Sequence, residues 1–191
     1  ITLKDFSKRL NEVDYIVMSP GISLNKTKIK RQLLKNRKKI ITDLDLLYLH
    51  KPNLKSIVVT GTNGKSTTCK IIEHLLKKKF NVQLGGNIGK PVLNLKNRKK
   101  TIFVIEASSF QLAYSKFVKP KYALILNIKN DHLDWHGDIT NYINSKFKIF
   151  SLQTKKDYAF LNNKQLINKF RHKKNSGKIV IVSRKFYKKI E

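Results

Sequence analysis

The stretch from Ser56 to about Lys79 constrains the fold most, because an apolar strand runs directly into a glycine loop and a helix. The strand Ser56–Thr60 (SIVVT) is rich in β-branched residues, which is typical of a buried strand. The loop after it contains Gly61 and Gly64, which permit a tight turn and a close approach of the backbone. A buried strand followed at once by a helix indicates a β-α unit and hence a parallel sheet.

The same alternation of short apolar runs and helical stretches continues along the chain. Besides Ser56–Thr60, we predict strands at Asp14–Met18, Lys39–Thr42, Asn81–Leu84, Thr101–Ala107, Lys121–Asn127, Asp157–Asn162 and Lys178–Ser183. Helices are predicted at Lys26–Arg37, at Leu44–His50 with Asp43 as its cap, between Ala107 and Lys121, at Asp138–Ser151 and at Asn163–His172. The pattern therefore predicts an α/β fold, a mostly parallel sheet with flanking helices and right-handed crossovers.

A break at Pro52-Asn53 divides the chain into two predicted domains, residues 1–52 and residues 53–191. No apolar run approaches the roughly 18 residues of a membrane span. The single Cys69 excludes a disulfide framework and is typical of a reducing cytoplasm, where we expect the protein to be located. The chain starts at Ile1 rather than at a Met, so the sequence leaves targeting open.

The net charge of +29 suggests a nucleic-acid-binding module, because clustered Lys and Arg neutralise phosphates. The basic residues comprise 35 Lys and only 6 Arg, and the lysines are scattered along the whole length. Arg is the better bidentate partner of phosphate and guanine, so its scarcity weakens that interpretation. We interpret the lysines as a solvated surface and predict no nucleic-acid partner, with the nucleic-acid-binding module as the alternative.

The loop Thr60–Thr67 (TGTNGKST) is typical of a phosphate-binding loop, since it lies between an apolar strand and a helix. Unpaired backbone N–H groups and the helix dipole face an anion at such a position. Lys65 supplies a point charge for phosphate oxygens, and the hydroxyl of Ser66 or Thr67 can bind Mg²⁺. A valine stands five positions before Gly64, where the common P-loop pattern has glycine. A plain glycine turn is therefore the alternative, although nucleotide binding is the better account.

Glu106 ends the strand-forming run TIFVIE that starts at Thr101. A carboxylate after five mostly apolar residues is costly to bury unless it is paired or bound to a metal. Ligands of parallel sheets gather beyond the carboxyl ends of the strands. Beside a phosphate-binding loop, we predict that Glu106 binds Mg²⁺, and the alternative is a carboxylate that simply reaches water.

A third group of polar residues, Asn127–His136 (NIKNDHLDWH), follows another apolar strand. It contains two of the five histidines, His132 and His136, whose H-x₃-H spacing on a helix also suits a zinc site. We disfavour zinc, because no third strong nitrogen or sulfur ligand lies nearby in the sequence. Turn and capping roles are a further alternative. His132 nevertheless leaves the same edge of the predicted sheet as Lys65 and Glu106.

Lys146 lies within the apolar face of the predicted helix Asp138–Ser151. That face is formed by Ile139, Tyr142, Ile143, Ile149 and Phe150. Burial disfavours the charged ammonium and lowers the pKa of a lysine from about 10.4. A neutral amine can react with CO₂ to form a carbamate, which is an anionic metal ligand. The alternative is a lysine whose stem is covered while its amine reaches the surface.

Five motifs taken together resemble the Mur ligase superfamily. They are GTNGKST (Gly61–Thr67), GGNIGKP (Gly85–Pro91), EASSFQL (Glu106–Leu112), ILN-x₃-DHLD-x-H (Ile125–His136) and Y-x₃-K (Tyr142–Lys146). The SSFQL stretch is similar to the D-glutamate-adding branch of that superfamily. SPGI at Ser19–Ile22 and TDLDLL at Thr42–Leu47 are similar to the end of the UDP-binding, Rossmann-like N-terminal domain of that branch. The resemblance therefore implies an incomplete P-loop central domain preceded by the tail of a Rossmann-like domain.

The resemblance implies roles for individual residues in binding ATP, Mg²⁺ and a UDP-muramoyl substrate. The ATP phosphates would be held by Gly61, Thr62, Asn63, Gly64, Lys65, Ser66 and Thr67. One Mg²⁺ would be bound by Ser66 or Thr67 with Glu106, and a second by His132 and carbamylated Lys146. The UDP-muramoyl substrate would face Ser19, Pro20, Gly21, Asn87, Ser108 and Gln111. Lys65, Glu106, His132 and Lys146 would be the catalytic residues.

The activity implied by the resemblance is ATP-dependent ligation of D-glutamate to UDP-N-acetylmuramoyl-L-alanine in peptidoglycan precursor synthesis. The L-alanine carboxylate would attack the γ-phosphate, and the amine of D-glutamate would then take the acyl group from the acyl phosphate. A sister ligase, including the folylpolyglutamate type, and a non-catalytic ATP-binding remnant are the alternatives. Members of the superfamily carry further segments, so we expect the 191-residue chain alone to form no peptide bond.

Overall fold

Two parallel sheets and eight α-helices organise the described residues, 3–24 and 26–182, of the computed structural model. The strands are β1 (Ile16–Val17), β2 (Ile40–Ile41), β3 (Ser56–Thr60), β4 (Asn81–Gly86), β5 (Thr101–Glu106), β6 (Tyr122–Ile125), β7 (Tyr158–Leu161) and β8 (Lys178–Ile181). The helices are α1 (Leu3–Glu12), α2 (Lys30–Lys35), α3 (Asp43–His50), α4 (Lys65–Lys77), α5 (Ser109–Tyr114), α6 (Leu133–His136), α7 (Ile139–Phe147) and α8 (Lys164–His172). Short 3₁₀ turns cover Arg37–Lys39, Val92–Asn94 and Lys148–Phe150.

The larger sheet has six parallel strands in the order β4-β5-β3-β6-β7-β8. After the central strand β3, the chain forms β4 and β5 on one side of it. The chain then crosses to the other side and forms β6, β7 and β8 in that order. In the register, Val59 of β3 pairs with Glu106 of β5, and Thr60 pairs with Ile125 of β6. The loop after β3 therefore emerges at a topological switch point, where parallel α/β sheets form their ligand sites.

Side chains alternate across this sheet, so its two faces bury different partners. On one face, Val58, Ile105 and Ile125 belong to the main core, together with residues of α3, α5, α7 and α8. On the other face, Val59 and Val104 pack with the buried Cys69 of α4. Helix α4 is thus fixed across the sheet with its first turn beside the loop after β3.

The predicted fold class is confirmed, and most of the differences lie at the ends of elements. The predicted strand Asp14–Met18 shrinks to the two residues of β1, and α1 was not predicted from the sequence. Asp43 is the first residue of α3 rather than its cap, because Thr42 stands at the N-cap position in extended conformation. The helix predicted at Asp138–Ser151 ends as a 3₁₀ turn. Ser183, the predicted end of the last strand, lies outside the described residues.

A search of the described residues finds no helix with the length and apolar character needed to cross a membrane. The smaller sheet pairs β1 with β2 in parallel and is separate from the six strands. Its own small core contains Leu10, Met18, Leu33 and Ile40. The residues before Pro52 thus have some packing of their own, and α3 connects them to the larger sheet.

The fully buried carboxylate of Asp45 attaches α3 to the loop between α5 and β6. Its Oδ1 atom accepts from the backbone N–H groups of Lys116 (2.8 Å) and Phe117 (2.7 Å), while Oδ2 accepts from Thr42 N (3.0 Å). One acidic side chain therefore joins the start of α3 to two backbone groups that lie 71 and 72 positions further along the chain. A buried carboxylate is tolerated because these donors replace its lost hydration.

Replacing Asp45 with Ala should destabilise the chain by about 2–4 kcal/mol, because three buried or partly buried backbone donors lose their acceptor. Urea unfolding followed by circular dichroism measures this loss. Asp134→Ala is the matched control, since Asp134 is exposed and its contact with Lys26 spans 3.4 Å. The control should change the free energy of unfolding by less than about 0.5 kcal/mol. Equal effects of the two variants would contradict the role of Asp45.

Candidate active site

The loop between β3 and α4 has the geometry of an anion-binding site. Gly64 lies in the left-handed region (φ 82°) at the N-cap position of the 13-residue helix α4, which begins at Lys65. The Nζ atom of Lys65 donates to the carbonyls of Gly61 (3.0 Å) and Thr62 (2.8 Å), so the side chain folds over the loop. The first N–H groups of α4 have no intrahelical acceptor, and they combine with the lysine to attract an anion.

Glu106 is almost fully buried at the end of β5, with 1% of its surface exposed. Its Oε2 atom accepts from the Ser66 hydroxyl at 2.7 Å, and its Oε1 atom accepts from Asn87 Nδ2 at 2.9 Å. A Cβ at Gly86 (φ 110°) would collide with the Glu106 backbone, so glycine is required for this approach. The alternative in which Glu106 simply reaches water is therefore wrong.

Lys146 is buried on α7, with 2% of its surface exposed, so the alternative of an amine that reaches the surface is also wrong. Its Nζ atom donates to the Gly61 carbonyl at 2.8 Å and lies 4.5 Å from the ring centroid of Tyr142. Burial and then the positive charge of Lys65 lower the pKa of Lys146 to about 7. The structure thus brings Lys65 and Lys146 to the same loop carbonyl.

Tyr142 connects the loop to the histidine-containing segment. Its hydroxyl makes a 2.9 Å hydrogen bond with Thr62 Oγ1, and its ring centroid lies 6.5 Å from that of His132. His132 adopts a left-handed backbone conformation (φ 52°), and its Nε2 atom lies 3.4 Å from a carboxylate oxygen of Asp131. Its side chain is half-exposed, so His132 borders the site rather than filling it.

His136 is buried, and its Nε2 atom makes a 3.0 Å hydrogen bond with Ser109 Oγ. Burial, with the positive charges of Lys146 and His132, lowers the pKa of His136 to about 4. Residues 3–24 and 26–182 contain no group of three or more His, Cys, Asp or Glu side chains that could hold a metal ion. The zinc alternative gains no support, whereas the predicted Mg²⁺ ligands include hydroxyl oxygens, which lie outside those four residue types.

The predicted substrate-facing residues differ in their surroundings. Gln111 is buried, with its Oε1 atom accepting from Ser108 N (3.1 Å) and its Nε2 atom donating to the Asp43 carboxylate (3.1 and 3.2 Å). Ser108 caps α5 by accepting from Gln111 N. These side chains are therefore already hydrogen-bonded within the protein. Their contact with substrate stays a prediction.

The turn Ser19–Gly21 closes through a hydrogen bond from Ile22 N to the Ser19 carbonyl (3.0 Å). Ser19 and Gly21 are exposed, and substrate contact at this turn also stays a prediction. The sequence indicated no site role for Tyr142 or Asn127 and only a capping role for Asp43, yet the structure places all three against the loop or α5. The signal for Tyr142 was its place in the Y-x₃-K motif.

A central buried strand, an anion-binding glycine loop with its lysine, and the helix after it define a P-loop α/β domain. The model of the Mur ligase middle domain matches residues 59–190. The chain therefore belongs to the Mur ligase family.

Two curated relatives are UDP-N-acetylmuramoylalanine--D-glutamate ligases. The one from Natranaerobius thermophilus is 40% identical over 167 residues, which cover 81% of this chain and 35% of the relative. The one from Rickettsia felis is 45% identical over 155 residues, which cover 81% of this chain and 34% of the relative. The chain thus spans about a third of the length of the curated relatives it matches.

Solved structures confirm the fold. A MurF ligase from Thermotoga maritima in complex with ADP superimposes with a TM-score of 0.57 at 20% identity, covering 92% of this chain and 49% of that chain. A UDP-N-acetylmuramate:L-alanyl-gamma-D-glutamyl-meso-diaminopimelate ligase from Neisseria meningitides has a TM-score of 0.58 at 18% identity, covering 91% of this chain and 60% of that chain. At such identities the likeness supports the architecture alone.

The lowered pKa of Lys146 predicts a pH-dependent stability. Between about pH 7 and the unfolded pKa of about 10.4, the unfolded chain binds more protons at this site, so stability rises with pH. We expect the unfolding free energy of wild type, minus that of Lys146→Met, to rise by about 1 kcal/mol per pH unit across this range. Denaturant unfolding in CO₂-free buffers at pH 7, 8 and 9 measures the difference. A difference independent of pH would show that the amine stays charged.

Proposed function

We propose that this chain is the ATP-binding part of an enzyme that ligates D-glutamate to UDP-N-acetylmuramoyl-L-alanine. The observation that carries the proposal is the cluster around the loop. The buried Glu106 carboxylate bonds Ser66 at 2.7 Å, and the buried Lys146 amine bonds Gly61 at 2.8 Å on the same loop. The names of the relatives at 40–45% identity support the choice of substrates.

The loop residues 61–67 would hold the ATP phosphates. Lys65 lies over the loop carbonyls and would turn toward phosphate oxygens, because these offer a full negative charge where the carbonyls offer only a dipole. The N-terminus of α4 adds the positive end of a helix dipole. Phosphate binding is therefore supported by both a charge and a set of backbone donors.

The oxygen atoms around Glu106 fit Mg²⁺, since this cation prefers carboxylate and hydroxyl ligands. Ser66, with Glu106, would hold one ion, and Thr67 is the next hydroxyl along α4. A second ion would be held by His132 and Lys146, provided that the amine is carbamylated, because Mg²⁺ prefers oxygen to an amine. When bound, Mg²⁺ reduces the repulsion between anionic reactants and polarises a phosphoryl oxygen.

The proposed reaction must bring two anions together, the L-alanine carboxylate and the γ-phosphate. Lys65 and the first turn of α4 would lower their repulsion and stabilise charge on the transferring phosphoryl group. The carboxylate attacks phosphorus and ADP leaves, which gives an acyl phosphate. The D-glutamate amine then attacks the acyl carbon, and phosphate leaves. We place this chemistry in the cytoplasm, in keeping with the unpaired, buried Cys69.

We further propose that residues 1–52 form the C-terminal part of a UDP-substrate-binding domain and that residues 53–191 belong to the ATP-binding domain. The separate two-stranded sheet before Pro52 supports this division, as does the family match that begins at residue 59. The SSFQL stretch, whose Gln111 is bonded to Asp43, favours the D-glutamate-adding member over a sister ligase. A non-catalytic ATP-binding remnant is the second candidate.

Replacing Lys65 with Ala in the complete protein should abolish ATP turnover while the protein remains folded, because the phosphates lose their charged partner. Phosphate release and the melting temperature measure the two effects. Lys70→Ala is the matched control, since Lys70 lies about one turn further along α4 and is exposed. Its turnover should stay within about twofold of wild type. Undiminished turnover in Lys65→Ala would refute the assignment.

The 191-residue chain by itself should form no ligase product, although the complete protein should. Ligation needs the carboxylate, the phosphates and the amine held in near-attack geometry, and the chain spans about a third of its relatives. To test this, the 191-residue chain and the complete protein are each incubated with ATP, Mg²⁺, UDP-N-acetylmuramoyl-L-alanine and D-glutamate, and the products are identified by mass spectrometry. Absence of product from a folded complete protein would favour the second candidate, a non-catalytic ATP-binding remnant. Stoichiometric product from the chain alone would contradict the need for further segments.

A further inference from the structure

Asn127, the second residue after β6, places its side-chain amide against the backbone of one loop residue, Asn63. The Oδ1 atom of Asn127 accepts from the Asn63 N–H at 3.0 Å, and Asn127 Nδ2 donates to the Asn63 carbonyl at 3.0 Å. A primary amide carries both a donor and an acceptor. One side chain from the neighbouring strand therefore satisfies both backbone groups of Asn63.

Backbone contacts extend this attachment along the loop. Thr62 N donates to the Asn127 carbonyl at 3.0 Å, and Lys129 N donates to Thr62 Oγ1 at 3.0 Å. A Cβ at Gly61 would meet Leu126 Cβ at 3.1 Å and the Asn127 backbone at 3.4 Å, so the two segments approach very closely. The loop is thus hydrogen-bonded to the chain beyond β6 at two consecutive residues, Thr62 and Asn63, and lies close to it at Gly61.

This attachment decides which loop amides remain available to an anion. The Asn63 N–H is engaged by Asn127, whereas the first N–H groups of α4 have no intrahelical acceptor. A glycine-containing loop without such contacts would lose conformational freedom when it binds an anion, and that loss weakens binding. In this chain the freedom is removed before any ligand arrives.

We propose that Asn127 is a positioning residue that holds the loop in its nucleotide-binding conformation. This inference rests on the proposed function, because it assumes that the loop binds nucleotide phosphates. An aspartate at position 127 keeps the shape of the side chain but sets an oxygen against the Asn63 carbonyl. It also adds a negative charge beside the phosphates. Both effects oppose nucleotide binding.

Asn162, just after β7, offers a matched control. Its Nδ2 atom donates to the Leu126 carbonyl at 2.6 Å, one residue before Asn127, and its side chain is exposed. Asn162→Asp therefore makes the same chemical change and adds the same charge nearby. It breaks a hydrogen bond to the segment beyond β6 rather than one to the loop itself.

The experiment compares the wild-type chain with Asn127→Asp, Asn127→Ala and Asn162→Asp. Hydrogen exchange of the Asn63 amide is measured by NMR, and affinity is measured by titration with Mg-ATP. Asn127→Ala should speed this exchange, because the Asn63 N–H loses its acceptor, whereas Asn127→Asp keeps an acceptor oxygen for that N–H. Both variants should weaken Mg-ATP binding by about tenfold or more, with the loss larger for Asp. Asn162→Asp should leave both quantities within about twofold. Similar melting temperatures across the set verify that each variant is folded.

Three results would overturn the inference. They are unchanged Mg-ATP affinity in both Asn127 variants, faster exchange without weaker binding, and an equal loss of affinity in Asn162→Asp. The first two would show that the attachment is purely structural, and the third would show a general effect of charge. Wild-type chain that fails to bind Mg-ATP would instead contradict the proposed function itself, and the role of Asn127 in nucleotide binding with it.

Discussion

The pairing of β3 with β5 on one side and β6 on the other determines where every polar group of the site lies. Because the three strands are parallel, their carboxyl ends meet at one edge of the sheet. Val59 pairs with Glu106 and Thr60 with Ile125, so the loop after β3 begins between the ends of its two neighbours. A shift of one residue in the register between β3 and β5 would turn the Glu106 side chain to the other face of the sheet.

Two buried ionisable side chains of opposite sign lie against this loop, and each is tolerated for a different reason. Glu106 keeps two hydrogen-bond donors, one from α4 and one from the segment after β4, which replace its hydration. Lys146 has the Gly61 carbonyl and the Tyr142 ring, and its pKa falls to about 7 because burial and Lys65 disfavour its charge. An amine that is neutral in about half of the molecules near pH 7 is chemically unlike a surface lysine, and its carbamylation stays a prediction.

The N-terminal segment contributes to the site through carboxylates rather than through apolar packing alone. Asp43 accepts from Gln111 at the start of α5, and Asp45 accepts from the backbone just after α5. Helix α5 is therefore held at both ends by α3. Because α5 follows directly after Glu106 and Ser108, the attachment also fixes the chain where it leaves the central sheet.

The sequence by itself determined the α/β class, the glycine loop and the burial of Lys146, because these signals are local. An apolar run predicts a strand, glycines and a lysine predict an anion-binding turn, and a lysine within an apolar helix face predicts burial. Only the tertiary structure decided which groups meet. The Asn127–Asn63 contact and the Asp43–Gln111 contact join residues 64 and 68 positions apart, and no local pattern encodes such pairs. Sheet register and helix packing set those distances, so they follow from the fold as a whole.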